Sequence, residues 1–256
     1  MSTYAERAAP AWIAGPVACV WSTVATGDGT VLPDACADLV HVRGHGVFVA
    51  GPDTLPAGGP DGARGEVAGL RLRPGHVQAA LGVPADELRD RRVALADLWG
   101  REGAELAARL DDAPTAAERQ RLLAAAVARR ATVADPLALG AVALLAHDPG
   151  RRVAEVADAL ALSERHLRRR LRAAVGYGPK TLARILRFQR LLALAERGPG
   201  SLASLALDAG YADQPHMTGE VSRLAGAPPT AVLGVARARG DRRLVRSVQD
   251  PGGGRA

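Results

Sequence analysis

A single lysine, Lys180, accompanies thirty-two arginines, and that scarcity governs how positive charge can be interpreted. So strong a bias is what a GC-rich coding sequence produces. Arginine abundance alone therefore does not point to nucleic acid, and only its distribution is informative. Cysteine is almost as rare. Cys19 and Cys36 lie seventeen residues apart with no second CxxC pair or HxxxH nearby, which argues against a disulfide framework or a zinc site and predicts two buried free thiols. Long apolar runs are missing too. The longest, Leu137 to Ala146, is too short to cross a bilayer, and no charged start followed by an apolar segment and a cleavage site opens the chain. The expectation is a cytoplasmic protein with no membrane partner. There is also no HExxH, GxSxG, P-loop or dinucleotide fingerprint, so neither a catalytic role nor a cofactor is expected.

What is present is enough apolar material, 48% of 256 residues, to bury cores in one or two domains. Charge is unevenly divided. Residues 1–150 carry 14 basic and 18 acidic side chains, whereas residues 151–256 carry 19 and 9. A basic segment attached to a mildly acidic one predicts that the second alone meets a polyanion, because phosphate attraction requires concentrated positive charge.

Residues 17–73 read as short strands, Val17–Val24, Asp38–Val42, Val47–Val49 and Val67–Arg73, with loops at Gly51-Pro52 and Gly58-Gly59-Pro60. From Gly75 the pattern becomes helical. Leu95, Leu98 and Trp99 open one segment, Leu122, Leu123, Ala126 and Val127 form a stripe in another, and Leu137, Ala141, Leu144 and Leu145 continue it. Asp148-Pro149-Gly150 marks a boundary, and after residue 236 periodicity fades. The predicted chain is α+β. A small β-rich sensor or assembly domain (1–75) and a helical connector (76–147) precede an all-α domain (148–236) with two helix-turn-helix units joined by a long helix. A basic, flexible tail (237–256) follows.

The strongest signal is an internal repeat. Val153, Val156 and Ala157 recur as Leu202, Leu205 and Ala206 at an offset of 49, while Leu167, Leu171, Gly176 and Pro179 recur as Met217, Val221, Gly226 and Pro229 at 50. One residue is inserted at the turn. In the first copy Val153, Val156, Ala157 and Leu160 follow i, i+3, i+4, i+7, so one face is apolar. Ser163 can cap a second helix, with Glu164 in its first turn. If Leu167 and Leu171 point inward, then Arg165, Arg168, Arg169 and Arg172 form an exposed stripe. Like charges at that spacing repel in an isolated helix, whereas a major groove relieves the repulsion and offers guanine O6 and N7 to a guanidinium fork. Two short helices, a tight turn and a basic second helix constitute the helix-turn-helix pattern.

The second copy opens at Ser201, with Gly210 at the turn, Asp213 as a cap and Pro215 in the first turn. Gln214, His216 and Thr218 fall near the exposed leading end of its second helix. Between the copies Leu182, Ile185, Phe188, Leu192 and Ala195 step by three or four, which predicts one long helix as a stiff spacer. Two reading helices could then enter successive major-groove segments about 34 Å apart on one face of the duplex.

Val153–Leu171, Gly176-Tyr-Gly-Pro179, Leu182–Arg190 and Leu202–Val221, with Gly226 and Pro229, resemble the AraC/XylS-type DNA-binding domain. The most specific stretches are Gly176-Tyr-Gly-Pro-Lys-Thr-Leu-Ala-Arg184, Arg187-Phe-Gln-Arg190 and Ala209-Gly-Tyr-Ala-Asp-Gln214. The resemblance implies that Arg165, Arg168 and Arg169 read bases from the first unit, with Gln214 and Thr218 as their counterparts in the second. Gly219 stands where the family usually has a basic residue and Val221 where it usually has an aromatic one, which implies a weaker second grip. Leu32-Pro-Asp-Ala-Cys-Ala-Asp-Leu39 and Ala50-Gly-Pro-Asp-Thr54 resemble an uncharacterised N-terminal domain that precedes this type of DNA-binding domain in many actinobacterial regulators. The partners implied are double-stranded promoter DNA, a small-molecule effector, RNA polymerase and a second copy of the chain. A partner-binding adaptor with structural helix-turn-helix units is the alternative.

His41 and His45 near Asp38 are the one candidate metal group, but isolated histidines on short strands are more often structural. Cys36 is the one candidate reactive thiol. Its aspartate and alanine neighbours offer nothing to activate it, so a packed cysteine is expected.

Overall fold

The computed structural model describes residues 4–25, 30–58, 64–197 and 200–239. The strands are β1 (Ala5–Ala8), β2 (Val17–Ala25), β3 (Thr30–Val31), β4 (Ala37–Val42), β5 (Gly46–Ala50), β6 (Ala57–Gly58), β7 (Gly65–Leu72) and β8 (Arg92–Ala94). Six make one antiparallel sheet in the order β1-β2-β7-β4-β5-β8, and β3 pairs with β6 apart from it. Alternation assigns the faces. Val20, Leu39, Val49, Leu70 and Leu72 point toward the helices, whereas Trp21, Asp38 and Arg71 point away. On that second face the Trp21 indole N–H donates to Asp38 at 2.9 Å, and buried Arg71 lies 3.1 Å from Asp38 and 3.5 Å from Asp34.

Helices α1 (Val77–Leu81), α2 (Ala85–Leu88), α3 (Leu95–Trp99), α4 (Arg101–Asp112) and α5 (Ala116–Arg130) follow. Their apolar stripes, with Leu106, Leu110, Leu123 and Val127 buried, close the core over the sheet. Thr115 caps α5 by accepting the Glu118 N–H at 3.2 Å, as its side chain and position allow. A further core is built by α6 (Pro136–His147), α7 (Val153–Ala159), α8 (Glu164–Val175), α9 (Pro179–Glu196), α10 (Leu202–Ala209), α11 (Gln214–Ala225) and α12 (Pro229–Arg239).

The architecture is α+β, as expected, but two joints fall elsewhere than the sequence pattern put them. Strand β8 lies within the 76–147 stretch yet is an edge of the sheet, paired with β5. Three residues are too few for alternation to register. Likewise α6 packs Ala138, Ala141 and Leu145 into the second core, so Asp148-Pro149-Gly150 is a surface turn between two helices of that core rather than a border. The helix α12 runs to Arg239, past the expected end at 236. Residues 240–256, the bulk of the expected tail, lie outside the described residues.

The two cores meet. Ala35 and Leu32 from the sheet domain pack into the second core, the Gln189 amide donates to Pro33 O at 2.7 Å, and α8 rests against α1 and α2.

Candidate nucleic-acid interface

In the first unit α7 buries Val156 and Ala157 and leaves its other face to solvent. The chain then turns through two backbone bonds, Ala161 N to Asp158 O at 3.0 Å and Leu162 N to Ala157 O at 2.9 Å. The second unit repeats them at the offset of 49, as Gly210 N to Leu207 O and Tyr211 N to Ala206 O, both 2.9 Å. Ser163 then caps α8 through the His166 N–H at 3.3 Å, and Asp213 caps α11 through the His216 N–H at 2.7 Å. Those caps are 50 apart, so the inserted residue is Ala212, between turn and cap. The left-handed turn position is filled by Gly210 (φ 93°) in one copy and by Ala161 (φ 52°) in the other.

Helix α8 buries Leu167, Leu171, Ala174 and Val175, and exposes Arg165, Arg168, Arg169 and Arg172. Arg165, Arg169 and Arg172 have no hydrogen bond or ion pair among the described residues. Arg168 does have one, to Glu164 a turn earlier. Both of these side chains are well exposed, and such pairs contribute little and yield easily to a stronger anion. Arg170, the one arginine off the stripe, points the other way. It bonds Asp135 at 2.7 Å, and Asp135 also caps α6 through the Leu137 and Ala138 N–H groups at 3.0 and 3.3 Å.

In the second unit Gln214, His216 and Thr218 are all exposed at the start of α11. Gln214 and Thr218 have no partner among the described residues, but His216 is tied inward. Its Nδ1 accepts the Ala212 N–H at 3.3 Å, its Nε2 lies 3.5 Å from Glu220, and its ring meets Tyr211 edge-on at 5.5 Å. Gly219 is exposed, with open space where a Cβ would stand.

Glu220 is the main residue the sequence reading missed. It sits on the inner face of α11 beside Val221, only 8% exposed, 3.0 Å from Arg184 and 3.2 Å from Arg187 of α9. Arg187 also donates to Pro149 O at 3.1 Å and lies over the Tyr211 ring at 5.2 Å. Burial raises the Tyr211 phenol above its ordinary value. One carboxylate thus fastens the spacer helix to the second unit, and its two arginine partners are 33 and 36 residues away in sequence. A cleft of about 530 Å³ opens beside this cluster, where Arg151, Arg152, Arg168, Lys180, Arg184 and Arg187 converge around Val153, Pro179 and Ala183. Most of these cations escaped the sequence reading because they are spread over three helix starts.

Outside this face, His41 is buried and bonds Asp111 at 2.9 Å, and Asp38 is taken up by Trp21 and Arg71. No group of three or more metal-ligating side chains comes together among the described residues. Cys19 and Cys36 are both buried thiols, and the Cys36 thiol donates to Asp34 O at 3.7 Å. Burial pushes the Cys19 thiol up.

Residues 156–234 match a family described as a helix-turn-helix domain, and residues 6–94 match a domain of unknown function, DUF6597. A putative AraC-like transcription regulator from Streptomyces lividans is 34% identical over 101 residues, 39% of this chain and 33% of that protein, so the match spans about a third of the relative's length. Among solved structures, ToxT from Vibrio cholerae O395 is similar with a TM-score of 0.45 and 10% identity over 92% of this chain and 97% of that one. The C-terminal domain of AraT, a response regulator from Geobacillus stearothermophilus, is similar with a TM-score of 0.38 and 16% identity over 46% and 95%. The chain thus joins a region that matches the DUF6597 family to a region that matches a helix-turn-helix domain family.

Proposed function

We propose that the chain is a sequence-specific, promoter-binding transcription regulator, with α8 as its main reading helix and the sheet domain as the part that responds to an effector. The observation that carries this reading is the repeated unit whose exposed second helix holds Arg165, Arg169 and Arg172 without internal partners. A guanidinium with no carboxylate to satisfy it is free to fork onto guanine, and a cationic face attracts phosphate before any base is read.

Roles follow from placement. Arg165, Arg168 and Arg169 contact bases, Arg172 extends the stripe, and Gln214 and Thr218 read from α11. His216, held by Ala212 and Glu220, shapes the leading end of α11 more than it reads. Among the cations of the cleft, Arg151, Arg152 and Lys180 face the backbone between the two groove segments. The effector, the contact with RNA polymerase and self-association belong to this same proposal.

The test is a fluorescence-anisotropy titration of the full chain with a duplex selected from a random library and with an unselected duplex, at several salt concentrations. A regulator shows at least about a thousandfold preference and a steep fall of affinity with salt. An adaptor with purely structural helix-turn-helix units shows neither.

A further inference from the structure

The loop from Gly51 to Pro56, between β5 and β6, touches both helix-turn-helix units at equivalent points. Gly176 ends α8 and Gly226 ends α11, 50 residues apart in the repeat. Pro52 Cγ lies 2.6 Å from where a Cβ on Gly176 would stand, and Pro56 Cγ lies 3.5 Å from the same position on Gly226. Gly176 has φ 94° and Ala85 O at 3.2 Å from that position, so the helix end is seated against the sheet domain with no room for a side chain.

The loop is also stiff. Asp53 receives both Arg92 Nη atoms at 2.8 and 2.7 Å, Thr54 donates its N–H and hydroxyl to Asp90 at 2.6 and 2.8 Å, and Gly51 N donates to Arg91 O at 3.0 Å. Two prolines four residues apart, on a loop bolted to the sheet edge at β8, therefore rest on the trailing ends of both reading helices.

From this geometry we infer that the 51–56 loop is a spacing gauge: Pro52 and Pro56 are positioning residues that set the separation of α8 and α11, and so the half-site spacing the protein accepts. The inference rests on the DNA-reading proposal. One inserted base pair turns the second half-site by about 35° and moves it about 3.4 Å, a mismatch that a rigid pair of readers rejects and a loose pair absorbs.

The experiment takes the full chain and the duplex recovered from a random library, with one base pair added or removed between its two contacted segments. Wild type is expected to lose at least about tenfold in affinity on either respaced duplex, roughly the effect of one wrong base pair. Pro52→Gly/Pro56→Gly is expected to keep its selected sequence but discriminate spacing by less than about threefold. Thr54→Ala, which loosens the loop without touching either contact and serves should the double variant not fold, is expected to fall between them. A merely structural loop would lower the unfolding midpoint and leave spacing discrimination at the wild-type value, and that result in a folded variant overturns the inference. Recovery of no sequence at all by the wild type overturns the DNA-reading proposal instead.

Discussion

Arg169 and Arg170 are neighbours on α8 that face opposite ways, and replacing each by alanine should separate reading from folding. Arg169 is exposed and makes no hydrogen bond or ion pair among the described residues, so Arg169→Ala should change stability by less than about 0.5 kcal/mol. Arg170 holds Asp135 at 2.7 Å, with the two side chains 37% and 27% exposed. After allowance for solvent screening, Arg170→Ala should cost about 1 kcal/mol of stability, part of it through the cap of α6 that Asp135 supplies. On the selected duplex the order reverses. Arg169→Ala should lose about 1–3 kcal/mol, roughly 5- to 150-fold in Kd, with preference relaxed at one base position, whereas Arg170→Ala should bind as wild type. Urea unfolding gives the stabilities, and anisotropy against a panel of single-base variants gives the binding. A uniform loss with a salt slope reduced by about 0.9 would move Arg169 from base to phosphate. Wild-type affinity for Arg169→Ala, or a binding defect confined to Arg170→Ala, would refute the assignment of faces.

Three further outcomes are expected. Ala161→Gly should stabilise the fold by about 0.5–1 kcal/mol in a urea melt, since Ala161 holds φ 52° while exposed and the second copy already has glycine there; a loss would mean the turn is not strained. Glu220→Gln should cost about 2–3 kcal/mol because it leaves two part-buried guanidinium groups facing a neutral amide, whereas Glu164→Gln, which breaks an exposed pair, should cost less than about 0.5 kcal/mol; equal losses would contradict the buried fastening. Burial holds His41 below its ordinary 6.5, against the pull of Asp111 and with Arg119 and Arg43 nearby. The unfolded chain therefore binds that proton more readily, and this stability, complete above pH 6.5, drains as pH falls toward the folded value. His76 behaves alike, while Asp34 and Asp53, raised by burial, act in the opposite sense. The decisive quantity is thus the difference between wild type and His41→Gln in urea midpoint from pH 8 to 5.5, which should shrink as pH falls; a constant difference would remove His41 from the account.

The repeat was the most legible part of this molecule because its signals are local. Ser163, Asp213 and Gly210 each act within one turn of where they stand, and the buried stripes of α8 and α9 follow a period that twelve or more residues make plain. The four longer strands were legible for the same reason. What escaped depended on distance or brevity. Strands β1 and β8 have four and three residues and exist only as edges added to β2 and β5. Helix α6 is apolar almost all round, so its pattern did not say which core it joins. Glu220 occupies an inner position of α11 beside Val221, where the period calls for an apolar residue; only the fold brings Arg184 and Arg187 to it. The exposure of the α8 stripe follows from the helical period, and the Glu164–Arg168 pair, four residues apart, is equally local.

Hydroxyl-radical footprinting of the full chain on its selected duplex is the most direct test of the central claim, that two stiffly linked helices read one face of DNA. Two protected segments about 10–10.5 base pairs apart on the same face are predicted, with the α11 segment weakened by Gln214→Ala/Thr218→Ala and the α8 segment by Arg165→Ala/Arg169→Ala. A single protected segment that only one of these pairs alters, or no protection at all, contradicts it.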